Sequence, residues 1–167
     1  MGRGMYRAVA LIVGILVFAW GGEARADDTL KGFKGVRSIT RTHSDSRCIG
    51  DPRTPLCAVE TFMACWARQA PDLCKMVWDF SDVSGSEGVR YQYKFRSAKT
   101  LTSEDYGPGG RNDISQPGDV EIVLDMIVCV KSNCPFPYFD GEIWVLRHDG
   151  KNWRVVYTFD EGGDDND

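Results

Sequence analysis

Two periods of apolar residues divide this chain. Leu56, Val59, Phe62, Met63, Trp66 and Ala70 recur at steps of three and four, the spacing of one helix face. Thr54 suits the N-cap, and Pro55 suits the first helical position, where a missing N–H costs nothing. Glu60, Thr61, Arg68 and Gln69 fall mostly away from the face so defined. Pro71 ends this helix and opens a second. Asp72 favours that start through the helix dipole, and Leu73, Met76 and Val77 continue the stripe. The stretch Thr54 to Trp78 is therefore read as two helices covering whatever follows. Met63, Trp66, Met76 and Trp78 are expected in the core, with an aromatic ligand contact as the alternative.

Beyond Trp78 the period falls to two. Val89, Tyr91, Tyr93 and Phe95 share one face of a strand, while Arg90, Gln92, Lys94 and Arg96 share the other. Asp119 to Val130 is the longest strand. Val120, Ile122, Leu124, Met126, Val128 and Val130 line its apolar face, and Glu121, Val123, Asp125, Ile127 and Cys129 form a mixed second face. Apolar residues on both sides mark a central position. Gly141 to His148 and Asn152 to Phe159 flank Asp149-Gly150 and read as a hairpin. Trp153, Val155, Tyr157 and Phe159 are expected on its inner face. Val36 to Thr40 offers one short edge strand in an otherwise polar arm. The composition of Tyr106 to Gly118 predicts a long loop. The fold class is thus α+β.

The first residues form an export signal. Arg3 and Arg7 precede the apolar run Ala8 to Trp20, and Ala24-Arg25-Ala26 supplies the small residues of a cleavage site. The run is short of the roughly 20 residues of a membrane span. The expected organisation is a signal peptide over 1–26, an extended arm and loop over 27–53, one α+β domain over 54–160 and an acidic tail over 161–167. The expected location is the periplasm of a bacterium, or secretion. Cleavage would remove Arg3, Arg7 and Arg25 against Glu23, taking the net charge from −4 to −6. An acidic chain argues against nucleic acid and anionic lipid as partners, and no later segment could span a membrane.

Six cysteines in an exported chain are expected to pair fully. Cys57 and Cys65 lie on one helix about 12 Å apart along its axis, beyond disulfide reach. Local closure favours Cys48–Cys57, Cys65–Cys74 and Cys129–Cys134.

The inventory of reactive groups is thin. There is no GxSxG, HExxH or paired CxxC, and the glycines of Tyr106 to Gly118 match no phosphate-binding pattern. His43 and His148 both sit beside turns, so neither a catalytic triad nor a metal site is expected. No cofactor is expected. Strand parity keeps carboxylates off the inner face, which leaves the hydroxyls of Tyr91, Tyr93 and Tyr157. With Trp66 these are the candidate ligand contacts. Tyrosines with a pKa near 10 can orient a ligand but are poor general bases.

The segments AVETFMACWARQAPDLCKMV and DGKNWRVVYTF resemble the opening helices and closing hairpin of the NTF2-like superfamily, over about Thr54 to Phe159. The resemblance implies N-terminal helices packed on a curved antiparallel sheet of four to five strands. That superfamily includes isomerases, dehydratases and hydrolases as well as non-catalytic domains. Its ketosteroid isomerases use a Tyr and acidic residues in the cone, and no position here matches that set. The resemblance therefore carries a fold and no active site.

The leading expectation is an exported, non-enzymatic domain that binds a small apolar ligand or a partner protein, with a homodimer through the outer sheet face as one arrangement. The alternatives are a pocket enzyme of the isomerase or dehydratase type and a structural subunit of an envelope complex. A buried carboxylate among the inner tyrosines would favour the enzyme. A filled interior would favour a partner role.

Overall fold

A computed structural model describes residues 30–79, 83–84, 87–106, 114–130 and 140–160. Strand β1 (Arg37–Ile39) precedes helices α1 (Pro55–Arg68) and α2 (Pro71–Val77). Then follow β2 (Val89–Thr100), a 3-10 turn (Ser103–Tyr106), β3 (Val120–Val130), β4 (Asp140–His148) and β5 (Trp153–Asp160). The expected signal peptide, the expected acidic tail and Cys134 lie outside the described residues. Among those described, no helix is long and apolar enough to cross a membrane.

Helix α1 begins as its residues dictate. The Thr54 hydroxyl accepts the Cys57 N–H at 3.3 Å, and Pro55 fills the first turn. It ends at Gln69, whose φ of 53° is left-handed. Ala70 N–H returns to the Cys65 carbonyl at 2.9 Å, and Pro71 restarts the chain as α2. The buried row of α1 is Leu56, Val59, Glu60, Met63, Ala64 and Ala67. Glu60 is therefore at the centre of the face against the sheet, not away from it. Phe62 and Trp66 flank that row half-buried, in an aromatic group with Trp78 and Trp144.

The five strands are antiparallel and pair in chain order, β1-β2-β3-β4-β5. This corrects the curved, NTF2-like sheet that the resemblance implies. The sheet is open and flat, with α1 and α2 packed near it. Its first edge strand comes from ahead of the helices. The two resembling segments encode a capped amphipathic helix and an aromatic hairpin. Any helix-on-sheet layer can use both, so they specify local structure and leave strand order and curvature open.

β3 is the middle strand, in keeping with its two apolar faces. Tyr91, Tyr93, Phe95, Ile122, Leu124, Trp144, Leu146 and Val155 pack with Leu56, Val59 and Met63 of α1. The opposite face buries Val123, Ile127, Cys129, Ile143 and Val145. Two bulges shift the alternation. Phe95 pairs with Leu124 and Ser97 with Val123, leaving Arg96 extra. Val145 pairs with Tyr157 and Leu146 with Val155, leaving Val156 extra. The second bulge divides β5. Trp153 and Val155 serve the helix side, while Tyr157 and Phe159 turn to the opposite face and stack there at 5.4 Å. The expected single inner row along β5 is thus broken after Val155.

Candidate functional site

The helix and sheet layers meet at a buried carboxylate. Glu60 has no solvent exposure. Its Oε1 accepts the Tyr93 hydroxyl at 2.5 Å and lies 3.0 Å from Nε of Arg37. That guanidinium N–H is not aligned for a hydrogen bond, so the second contact is an ion pair. Oε2 accepts the Ser46 hydroxyl and touches the sulfur of Cys48 at 3.5 Å. Cys48 is in a disulfide and has no proton to donate. Arg37 continues the network: its Nη2 donates to the Asp45 carbonyl at 2.8 Å, and its guanidinium lies 5.1 Å from the centre of the Phe33 ring.

The local sequence explains each placement. Glu60 is four residues after Leu56 and three before Met63, so a helix that buries both must bury Glu60. Tyr93 faces inward by strand alternation, and β1 sets Arg37 opposite Tyr93. Sequence reasoning misses Glu60 because the bulkiest apolar residues are taken to define the helix face. The available signal was its position between Val59 and Met63.

This arrangement has little capacity for proton transfer. Both carboxylate oxygens are engaged and out of solvent. The Tyr93 phenol is held neutral, its pKa pushed above the ordinary value by burial, then by the charge of Glu60 and the bond to it. Its one proton is committed to Glu60. Tyr91 is likewise raised, by burial first and by Glu142 second.

The four candidate ligand contacts do not share one pocket. Tyr91 and Tyr93 are buried on the helix side, and Trp66 lies half-buried on α1 beside its buried row. Tyr157 is on the other face, its hydroxyl 3.5 Å from that of Ser115. His43 pairs with Asp45 at 3.2 Å, and His148 packs edge-on to Trp153 at 5.3 Å. No group of three or more His, Cys, Asp or Glu among the described residues could hold a metal ion.

Disulfides link Cys48 to Cys57 and Cys65 to Cys74, with Cα separations of 5.4 and 5.2 Å. Cys129 is also disulfide-bonded, and its expected partner Cys134 lies outside the described residues. The first bridge braces the loop 48–54 on α1, and the second closes the corner between α1 and α2.

These bridges shape a surface cleft of about 450 Å³, lined by Gly50 to Arg53, Lys75, Met76, Lys151 and Asn152. Its three walls are the 50–53 loop, α2 and the β4–β5 turn. Gly50 N–H donates to the Thr61 hydroxyl at 3.0 Å, and Trp153 N–H donates to the Pro52 carbonyl at 2.8 Å. Arg154 donates to the Lys75 carbonyl at 3.1 Å and pairs with Asp79 at 2.6 Å. Asp149 accepts the N–H groups of Lys151 and Asn152 and so fixes the turn. No protein-family model matches the chain, and no curated protein or solved structure matches it significantly.

Proposed function

We propose that the protein is an exported, non-enzymatic binding domain that meets its ligand at the surface cleft and not in an interior pocket. The observation that carries this reading is the state of Glu60. It is the buried carboxylate a pocket enzyme of the isomerase type would need, and both its oxygens are engaged by Tyr93, Arg37 and Ser46. The space between α1 and the sheet is filled by Leu56, Met63, Tyr93, Ile122 and Leu124, all fully buried. These side chains leave no seat among them for a small apolar ligand. The bridged Cys48–Cys57 and Cys65–Cys74 pairs suit an oxidising compartment, and the charged start, apolar run and small-residue site support export to the periplasm.

Envelope-fraction protein examined by native mass spectrometry tests both parts. The expected species begins at Asp27 and carries a bound adduct. An intact N-terminus in the cytoplasm would overturn export. Turnover of any compound that is lost in a folded Glu60→Gln variant would overturn the non-enzymatic reading.

A further inference from the structure

We infer that the cleft between the 50–53 loop, α2 and the β4–β5 turn binds a compact, doubly charged oxyanion, the phosphate or dicarboxylate group of a small molecule. The inference rests on the binding-domain reading above and assigns the chemistry of its ligand. Each wall contributes one cation: Arg53 from the loop, Lys75 from α2 and Lys151 from the turn. The one acid in the lining, Asp51, is bound by the Arg53 fork at 2.6 and 2.5 Å. That pair cancels, leaving Lys75 and Lys151 as the net charge of the cleft. Lys75 reaches Asp72 only at 3.9 Å, with both side chains largely exposed. No ion pair of Lys151 is found among the described residues. Two positive charges facing one concavity stand out on a chain of net charge −4.

The walls are fixed before a ligand arrives. A disulfide anchors the loop to α1, another anchors α2 to α1, and the Trp153 N–H to Pro52 carbonyl bond joins loop to hairpin. Fixed walls reduce the ordering cost of binding. The lining holds one large apolar side chain, Met76, which suits a small polar ligand better than a hydrocarbon. A dianion matches the two lysines, since the ion pair of Lys75 with Asp72 is long and exposed.

The test uses the mature protein at low ionic strength, titrated with inorganic phosphate in one arm and succinate in the other, and followed by amide chemical shifts. Saturable shifts should centre on Gly50, Met76 and Asn152 and weaken with added salt. The double variant Lys75→Gln/Lys151→Gln should weaken binding by at least about tenfold. Its melting temperature should hold, since the ion pair of Lys75 is long and exposed. A tighter phosphate arm assigns a phosphate ligand, and a tighter succinate arm assigns a dicarboxylate. Non-saturating shifts in both arms, or equal affinity in the double variant, would overturn the inference. An adduct retained by the envelope protein alongside that negative result would leave the binding-domain reading standing.

Discussion

Two acid–arginine ties hold segments to opposite faces of the sheet, and they are built differently. On the helix side, Glu60 of α1 joins Arg37 of β1, Tyr93 of β2 and Ser46 of the intervening loop. On the other side, Asp119 meets Arg147 of β4 in a two-pronged contact, with both N···O distances at 2.8 Å. Arg147 also donates to the Ile114 carbonyl at 2.7 Å, and Asp119 accepts the Gln116 N–H at 2.9 Å. The Asp119 tie has better hydrogen-bond geometry. The Glu60 tie is deeper: Arg37 is 13% exposed against 35% for Arg147. Depth governs the cost of breaking such a tie, because a stranded charge cannot recover its hydration. Geometry governs how well the tie fixes a segment.

The sharpest test of that distinction is truncation of each acid. Glu60→Ala strands the Arg37 guanidinium and the Tyr93 hydroxyl together, and should destabilise the domain by about 3–5 kcal/mol in urea unfolding. Asp119→Ala should cost about 2 kcal/mol, because Arg147 can turn to water and keep its bond to Ile114. Equal losses would remove burial as the deciding variable.

The smallest effect is a dependence on alkaline pH confined to the helix side. Tyr93 and Tyr91 have folded-state pKa values above the ordinary 10.0. The folded protein therefore holds their protons more tightly than the unfolded chain. The stability this gives is complete below pH 10 and is lost as the pH rises beyond it. Tyr93→Phe should flatten the decline, and Asp119→Ala should leave its slope unchanged. Phenolate absorbance rising before unfolding would show that these tyrosines are accessible.

The sequence carried the local elements well. Thr54, Pro55 and Pro71 mark the ends of α1 and the start of α2 because capping and proline geometry act over a few residues. The β4–β5 hairpin and the central place of β3 follow from the two-residue period. The Glu60 centre was only half legible. Its helix position was available, but its partners depend on β1 crossing to β2 at one register. Tyr157 was placed on the wrong side of β5 because one extra residue, Val156, reverses parity and leaves no mark in composition. The cleft was not legible, since its lining comes from residues near 50, 75 and 151 and only the tertiary fold brings them together.

The strand order also constrains how the domain assembles. β2, β3 and β4 each pair with the next strand along the chain, and both described disulfides span nine positions. Such contacts close small loops early. The pairing of β1 with β2 closes roughly fifty residues, including both helices, and rests on three residue pairs. Loop-closure entropy opposes that step more than any other pairing in the sheet. β1 should therefore dock last, and the Glu60 carboxylate would meet Arg37 only then. Until that moment the folding chain carries a hydrated acid on the face of α1 destined for the core. Docking of the arm is then the step that seals the layer between helix and sheet. In pulse-labelled hydrogen exchange, the amides of Arg37 and Ile39, which face β2 on either side of the Asp45-bound Ser38, should gain protection after those of β3 and β4.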